Sequence, residues 1–191
     1  WRLFLTHNPE GNRVAERNGR VIGTVATLPF GAEFSWLSMV LVDPEMRGEG
    51  IGTVLLEEGI AAIGDGTCTR LDATPAGSGL YAKHGFLEEF GISRLGIVTN
   101  ATGGGLPPTR VEPMEAGDLS EVSVYDREVF GADRSFLLCA LFERAPQYAW
   151  VSRDGSGVVT GYSFGRPGFL YDQLGPVVAE RVEVAQALVA M

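Results

Sequence analysis

Lysine is almost absent: Lys83 is the one lysine among 15 basic residues, set against 24 acidic residues, for a formal net charge of −9. An acidic surface repels phosphate backbones and anionic lipid, so the expectation is no nucleic-acid partner and no membrane partner. A cationic or amine substrate fits this balance better. Cysteine and histidine are scarce as well. Cys68 and Cys139 are too few and too far apart for a disulfide scaffold and point to a reducing cytoplasm. His7 and His84 belong to no cysteine–histidine cluster, so no metal site is expected. No apolar run approaches the roughly 18–20 residues of a membrane span. The opening residues Trp1-Arg2-Leu3-Phe4-Leu5, with no initiator methionine, read as the end of a helix, and the chain as a fragment.

What is present is a globular composition, 45% hydrophobic and 20% charged over 191 residues, enough for one large domain or two small ones. The strongest boundary is Thr99-Asn100-Ala101-Thr102-Gly103-Gly104-Gly105-Leu106-Pro107-Pro108, whose glycines and prolines disfavour regular structure. It predicts a linker over 99–108 between domains at 1–98 and 109–191. In the first, Asn12–Glu16 and Arg20–Leu28 flank an Asn18-Gly19 pair, a strong hairpin signal. Phe34–Val42 reads as a central strand and Thr53–Ile63 as a helix. Cys68–Ala73 reads as a strand, Pro75 to about Lys83 as a helix, and Phe86–Val98 as a last strand.

The second block reads as helices over Asp118–Phe130 and Arg134–Arg144, then a hairpin of Gln147–Ser152 and Gly157–Phe164. A strand over about Leu170–Ala179 and a helix follow. Val21-Ile22-Gly23-Thr24 matches Val159-Thr160-Gly161-Tyr162 at an offset of 138, and Pro9 matches Pro146 at 137. Repetition at domain length suggests duplication, with chance matching of hairpins as the alternative. On this register the first copy lacks its opening strand and helix, and the second stops after its central strand and one helix.

Chemistry concentrates in Met39-Val40-Leu41-Val42-Asp43-Pro44-Glu45-Met46-Arg47-Gly48-Glu49-Gly50-Ile51-Gly52-Thr53. A buried strand runs into a proline break, an arginine, three alternating glycines and a helix start. Glycines leave backbone N–H groups uncovered, and the helix aims its own unpaired N–H groups at the same spot. The loop can therefore wrap an anion, although Glu45 and Glu49 oppose Arg47. A plain glycine turn is the bland reading. A nucleotide P-loop would need a lysine after the last glycine, and a dinucleotide fingerprint would need G-x-G-x-x-G. Neither is present.

This segment resembles the GNAT superfamily of acyl-CoA-dependent N-acyltransferases. That family's pyrophosphate loop, Arg/Gln-x-x-Gly-x-Gly/Ala after Val-x-Pro, is matched by Arg47, Gly50 and Gly52 after Val42-Asp43-Pro44. Its second landmark, a helix Tyr followed by Gly-Phe, is matched by Leu80-Tyr81-Ala82-Lys83-His84-Gly85-Phe86. The likeness covers Trp1 to about Val98. The later block, especially Leu174-Gly175-Pro176-Val177-Val178-Ala179, resembles the carboxy-terminal GNAT-like domain of tandem members more loosely. The implied fold is α/β (α+β), a mostly antiparallel mixed sheet flanked by helices, followed by a second, partial copy.

The resemblance implies acetyl-CoA as cosubstrate. Val40, Leu41 and Val42 would offer backbone groups to the pantetheine arm. Arg47, Gly48, Glu49, Gly50, Ile51, Gly52 and Thr53 would cradle the pyrophosphate, and Tyr81 would face the thioester sulfur. The reaction would be direct attack by an amine of a small molecule or a protein. No general base is evident: Glu33 and Asp72 are candidates acting through water, each also readable as a solvated carboxylate, and His84 reads as a helix cap. Glu180-Arg181-Val182-Glu183-Val184-Ala185 contains no glycine, so the second copy is expected not to bind CoA in this way. Instead it would shape the acceptor pocket or mediate packing. A non-catalytic acyl-CoA-binding or sensory module and a purely structural domain are the alternatives, and a homodimer stays open.

Overall fold

A computed structural model describes residues 1–96 and 110–191. The chain divides into two compact units, Trp1–Thr99 and Asn100–Met191. The expected linker at 99–108 lies outside the described residues.

The first unit opens with α1 (Arg2–His7) and a 3₁₀ turn at Pro9–Gly11. There follow β1 (Asn12–Arg17), β2 (Arg20–Phe30), β3 (Phe34–Val42), α2 (Ile51–Ile63), β4 (Thr69–Arg70) and α3 (Pro75–Lys83). The sheet runs β1-β2-β3-β4, antiparallel except for the parallel β3–β4 pair. Asn18 and Gly19 take positive φ (53° and 77°), the twist a two-residue hairpin turn needs. Val25 and Leu37 of the sheet pack against Leu55 and Leu56 of α2. Helix and sheet approach closely at Gly59, where a Cβ would stand 2.9 Å from Val25 Cγ2.

The second unit contains β5 (Val111–Pro113), α4 (Leu119–Phe130), α5 (Ser135–Arg144), β6 (Trp150–Arg153), β7 (Val159–Arg166), β8 (Gln173–Ala179) and α6 (Val182–Val189). Its sheet runs β5-β6-β7-β8 and is antiparallel throughout. Among the described residues no helix is long and apolar enough to cross a membrane.

The sequence repeat is a repeat of register. Gly23 pairs with Val42, and Gly161 with Ala179. A Cβ on Gly23 would meet Leu55 Cδ1 at 2.7 Å and Leu41 O at 3.0 Å. One on Gly161 would meet Val184 Cγ1 at 2.8 Å and Val178 O at 2.9 Å. Only glycine lets each helix lie this close to its sheet. One residue on, Asp43 N donates to Ile22 O (2.8 Å) and Glu180 N to Thr160 O (3.0 Å). The pairing also slips within each central strand, between Ser38 and Leu41 of β3 and between Leu174 and Val177 of β8.

Two expectations are corrected. The strand over Cys68–Ala73 is reduced to Thr69–Arg70. No strand forms over 86–96, and the remaining two residues of the expected Phe86–Val98 strand lie outside the described residues. The physical reason is shared: β4 pairs with β3 only at Thr69 and Arg70, so its far edge is too short to template a further strand. The apolar pattern of that segment leaves Leu87, Phe90, Ile92 and Leu95 exposed. The sequence reading also passed over β5, three residues long and without a usable period.

The second core holds a buried charge. Arg134 makes two bonds to Asp126 (2.8 and 2.7 Å), Tyr162 Oη donates to the same carboxylate, and the Arg134 guanidinium stacks on Phe130 at 3.8 Å. Burial, then the Asp126 carboxylate, pushes the Tyr162 phenol well above its ordinary value. Removing one partner strands the other in a dry site. Asp126→Ala is expected to cost about 3–5 kcal/mol of unfolding free energy, read by denaturant titration. Replacing Asp126, Arg134 and Tyr162 together by apolar residues of similar volume should cost much less.

Candidate functional site

The bend of β3 organises the first unit's site. Thr24 pairs with Leu41 and Ala26 with Ser38, so three steps on β3 oppose two on β2. The extra residue is absorbed at Met39, with φ +54°, and Thr24 Oγ1 donates to Met39 O (2.7 Å). This bulge resets the strand's alternation. Leu37 points into the core before it, and Val40 and Val42 pack there after it. On the other edge β3 is paired, among the described residues, at Ser35 and Trp36, and Leu37 to Val42 have no strand partner there on that side.

Pro44 ends the strand and opens a 3₁₀ turn, Pro44–Met46, capped by Asp43 Oδ1 accepting from Glu45 N (3.0 Å). Gly48 and Gly50 then take φ +85° and +82°, a region that side chains with a Cβ resist. Gly50 is the N-cap of α2, and no side chain caps that helix. The outcome is a run of donors. Met46 N is bonded to Asp43 O and Thr53 N to Gly50 O, but no main-chain N–H from Arg47 to Gly52 has an acceptor among the described residues. Arg47 Nε reaches back to Val42 O (3.4 Å), and its guanidinium makes no ion pair among the described residues. Such a cradle, at the positive end of a 13-residue helix, suits a compact anion.

Leu80 and Tyr81 of α3 pack against the same core as Val40 and Val42. The Tyr81 ring meets Phe86 edge-on at 6.0 Å, and its hydroxyl has no hydrogen-bond partner among the described residues. Burial raises its pKa, so the phenol keeps its proton at neutral pH. A cleft of about 1050 Å³ opens here, with Trp36, Arg70, Asp72, Tyr81, His84 and Phe86 on its walls. Asp72 shares it. Glu33 does not: it lies seven residues from Val40 at the other end of β3, about 23 Å along the strand, too far to serve chemistry beside Val40. His84 ends α3, with Nδ1 bonded to Leu80 O (2.9 Å) and Nε2 facing Glu57 Oε1 of α2 (3.4 Å).

The second unit has no such loop. Only Glu180 and Arg181 separate β8 from α6, where residues 43–50 intervene in the first. Gly77 escaped the sequence reading. A Cβ there would stand 2.9 Å from Tyr81 Cε2 and 3.3 Å from Oη, so the phenol lies across it. The available signal was the i, i+4 spacing of Gly77 and Tyr81 on one helix face. The bulge had no comparable signal.

The two units are built on one α/β scaffold, which defines the class of fold. The chain belongs to the GNAT acetyltransferase family: residues 9–88 and residues 122–191 each match a model described as an acetyltransferase (GNAT) domain, two in tandem. It is 27% identical over 188 residues to holothin acyltransferase of Pseudoalteromonas sp. (strain SANK 73390), covering 98% of this chain and 63% of that protein. It is 24% identical over 172 residues to the uncharacterized N-acetyltransferase YitH of Bacillus subtilis (strain 168), covering 90% and 60%. The chain thus spans about three fifths of the length of these relatives. A crystal structure of a Pyrococcus horikoshii protein assigned as an acetyltransferase superposes with a TM-score of 0.72 at 22% identity, over 99% of this chain and 62% of that one. A GCN5-related N-acetyltransferase from Sphaerobacter thermophilus gives 0.58 at 16% identity, over 91% and 64%. These two show the fold.

Gly77→Ala should leave α3 helical, since alanine is the better helix former by about 1 kcal/mol. It should nonetheless push the Tyr81 ring aside, visible as a changed tyrosine environment by NMR, with Tm nearly unchanged. His84 gives a pH test. Its hydrogen bond to Leu80, then that to Glu57, raises its pKa in the folded state. The stabilisation is therefore full below about pH 6.5 and is lost as pH rises through the folded-state pKa. The Tm difference between wild type and His84→Asn should be larger at pH 5.5 than at pH 8.5.

Proposed function

We propose that this chain carries an N-acyltransferase that takes an acetyl group from acetyl-CoA and gives it to a primary amine of a small molecule or protein. The observation that carries this reading is the unpaired run of main-chain N–H groups from Arg47 to Gly52 at the uncapped start of α2. Several donors, each worth about 0.3–1 kcal/mol toward an anion, can together hold a diphosphate without net positive charge. With the diphosphate there, the pantetheine arm would lie along Val40, Leu41 and Val42, completing the free edge of β3 as an added strand. The two free cysteines accord with work in a reducing cytoplasm.

The thioester, when bound, supplies the acyl group. The protein's own contributions are threefold. A strand amide near Val40 or Leu41 would stabilise the charge that grows on the acyl oxygen; such donors are commonly worth about 2.7–4 kcal/mol. Holding both substrates side by side would lower the entropic barrier. The Tyr81 hydroxyl, protonated and unengaged, gives a proton or hydrogen bond to the departing sulfur. Asp72, one of the carboxylates lining the same cleft, would relay a proton from the amine through water.

A second reading, a non-catalytic acyl-CoA sensor, is favoured by one observation: among the described residues no carboxylate is hydrogen-bonded to Tyr81. Titration calorimetry and thiol release separate the two. The enzyme reading expects one acetyl-CoA per chain and free CoA thiol on addition of an amine panel. It also expects Tyr81→Phe to lower kcat by about 10²-fold with acetyl-CoA affinity within about twofold of wild type. Binding without thiol release from any amine supports the sensor, and two CoA per chain contradicts the assignment of the second unit.

A further inference from the structure

The loop that would hold the diphosphate carries carboxylates of its own, and the β1–β2 hairpin answers them. Arg17 and Arg20 flank the Asn18-Gly19 turn. Arg20 Nη2 bonds Asp43 Oδ2 (2.6 Å) where the loop begins. Arg17 Nη2 bonds Glu49 Oε2 (2.6 Å) near its end, with Arg17 Nη1 3.4 Å from Met46 Sδ. Farther along β1, Arg13 Nε stands 3.8 Å from Glu58 on α2. A single hairpin thus grips the loop at both ends and touches the helix it feeds.

The Glu49 pair differs from the others in position. Gly48 and Gly50 bracket Glu49 and turn the chain by positive φ on either side of it, so its N–H stands inside the run of unpaired donors. Left alone, its carboxylate would repel any anion approaching those donors. Arg17 draws that carboxylate onto itself and lowers its proton affinity, with the hydrogen bond as the larger cause and the opposite charge as the next. Arg47, which has no carboxylate partner among the described residues, is thereby left as the loop's uncompensated cation.

We infer that Arg17 is a positioning residue for the acyl donor: it neutralises Glu49 and fixes it in the loop's anion-receiving form, without itself touching the ligand. This rests on the acetyl-CoA reading above. Both side chains are about half exposed, so as a plain surface ion pair they would contribute little to folding. Their effect is on the charge an incoming diphosphate meets. One carboxylate uncovered several ångströms from a doubly charged anion in water weakens binding by about three- to tenfold.

The experiment is calorimetric titration of CoA into wild type, Arg17→Gln, Glu49→Gln and the double variant, at low salt and at 0.15 M salt. Acetyl-pantetheine, which lacks the diphosphate, serves as control donor in the thiol-release assay. Arg17→Gln should raise the Kd for CoA three- to tenfold, less at the higher salt, and leave KM for acetyl-pantetheine within twofold. The double variant should return the Kd to within about twofold of wild type, because the uncovered charge has gone; damage by misfolding would not be repaired in this way. An unchanged Kd in Arg17→Gln, or a double variant as weak as Arg17→Gln, overturns the inference alone. A wild-type chain that takes up no CoA overturns it together with the proposed function.

Discussion

Main-chain N–H groups that find no acceptor are tolerated only where water or a ligand can reach them. This chain gathers them from Arg47 to Gly52, where strand β3 hands over to helix α2. Much of the first unit's local detail follows from that constraint. Pro44 stops the strand, Gly48 and Gly50 supply the conformations other residues resist, and the missing side-chain cap leaves the helix start open. Because the donors are backbone, the site does not depend on a basic surface, and an acidic protein can receive an anion. Two of the loop's carboxylates, Asp43 and Glu49, are paired with the hairpin arginines Arg20 and Arg17.

The same scaffold built twice shows how much of it concerns folding and how much concerns that loop. Both units press a helix onto a strand glycine, Gly23 or Gly161, both bond the residue after the central strand back to its neighbour, and both slip register in that strand. These shared features are packing requirements. They recur although the connection between strand and helix has contracted to Glu180 and Arg181. The second unit keeps the fold without the glycine loop. In its core it carries the Asp126–Arg134–Tyr162 cluster.

Elements with strong local signals were legible in the sequence. The Asn18-Gly19 turn, the apolar run Phe34–Val42, the proline opening α3 and the alternating glycines each state their conformation within a few residues, and β3 and α3 have the expected bounds. What was not legible depends on partners distant in the chain. The Phe86–Val98 pattern has strand chemistry, but a strand needs an edge, and β4 offers two paired residues. The bulge at Met39 depends on how β2 and β3 fit together, and nothing in Ser38-Met39-Val40 announces it. Gly77 looks like an indifferent helix glycine until the Tyr81 ring is seen lying over it. The pairing of Arg17 with Glu49 crosses 32 positions and appears only once the hairpin has folded against the loop.

The central claim concerns specific amides, and they can be watched one by one. In an NMR titration of the intact chain with coenzyme A, the account predicts that the backbone amide resonances of Arg47 through Gly52 shift downfield and saturate together. Those of Arg181 to Val184, at the start of α6, should stay where they are. Saturating ligand that leaves the Arg47–Gly52 amides unmoved, or that moves the α6 amides equally, would contradict it.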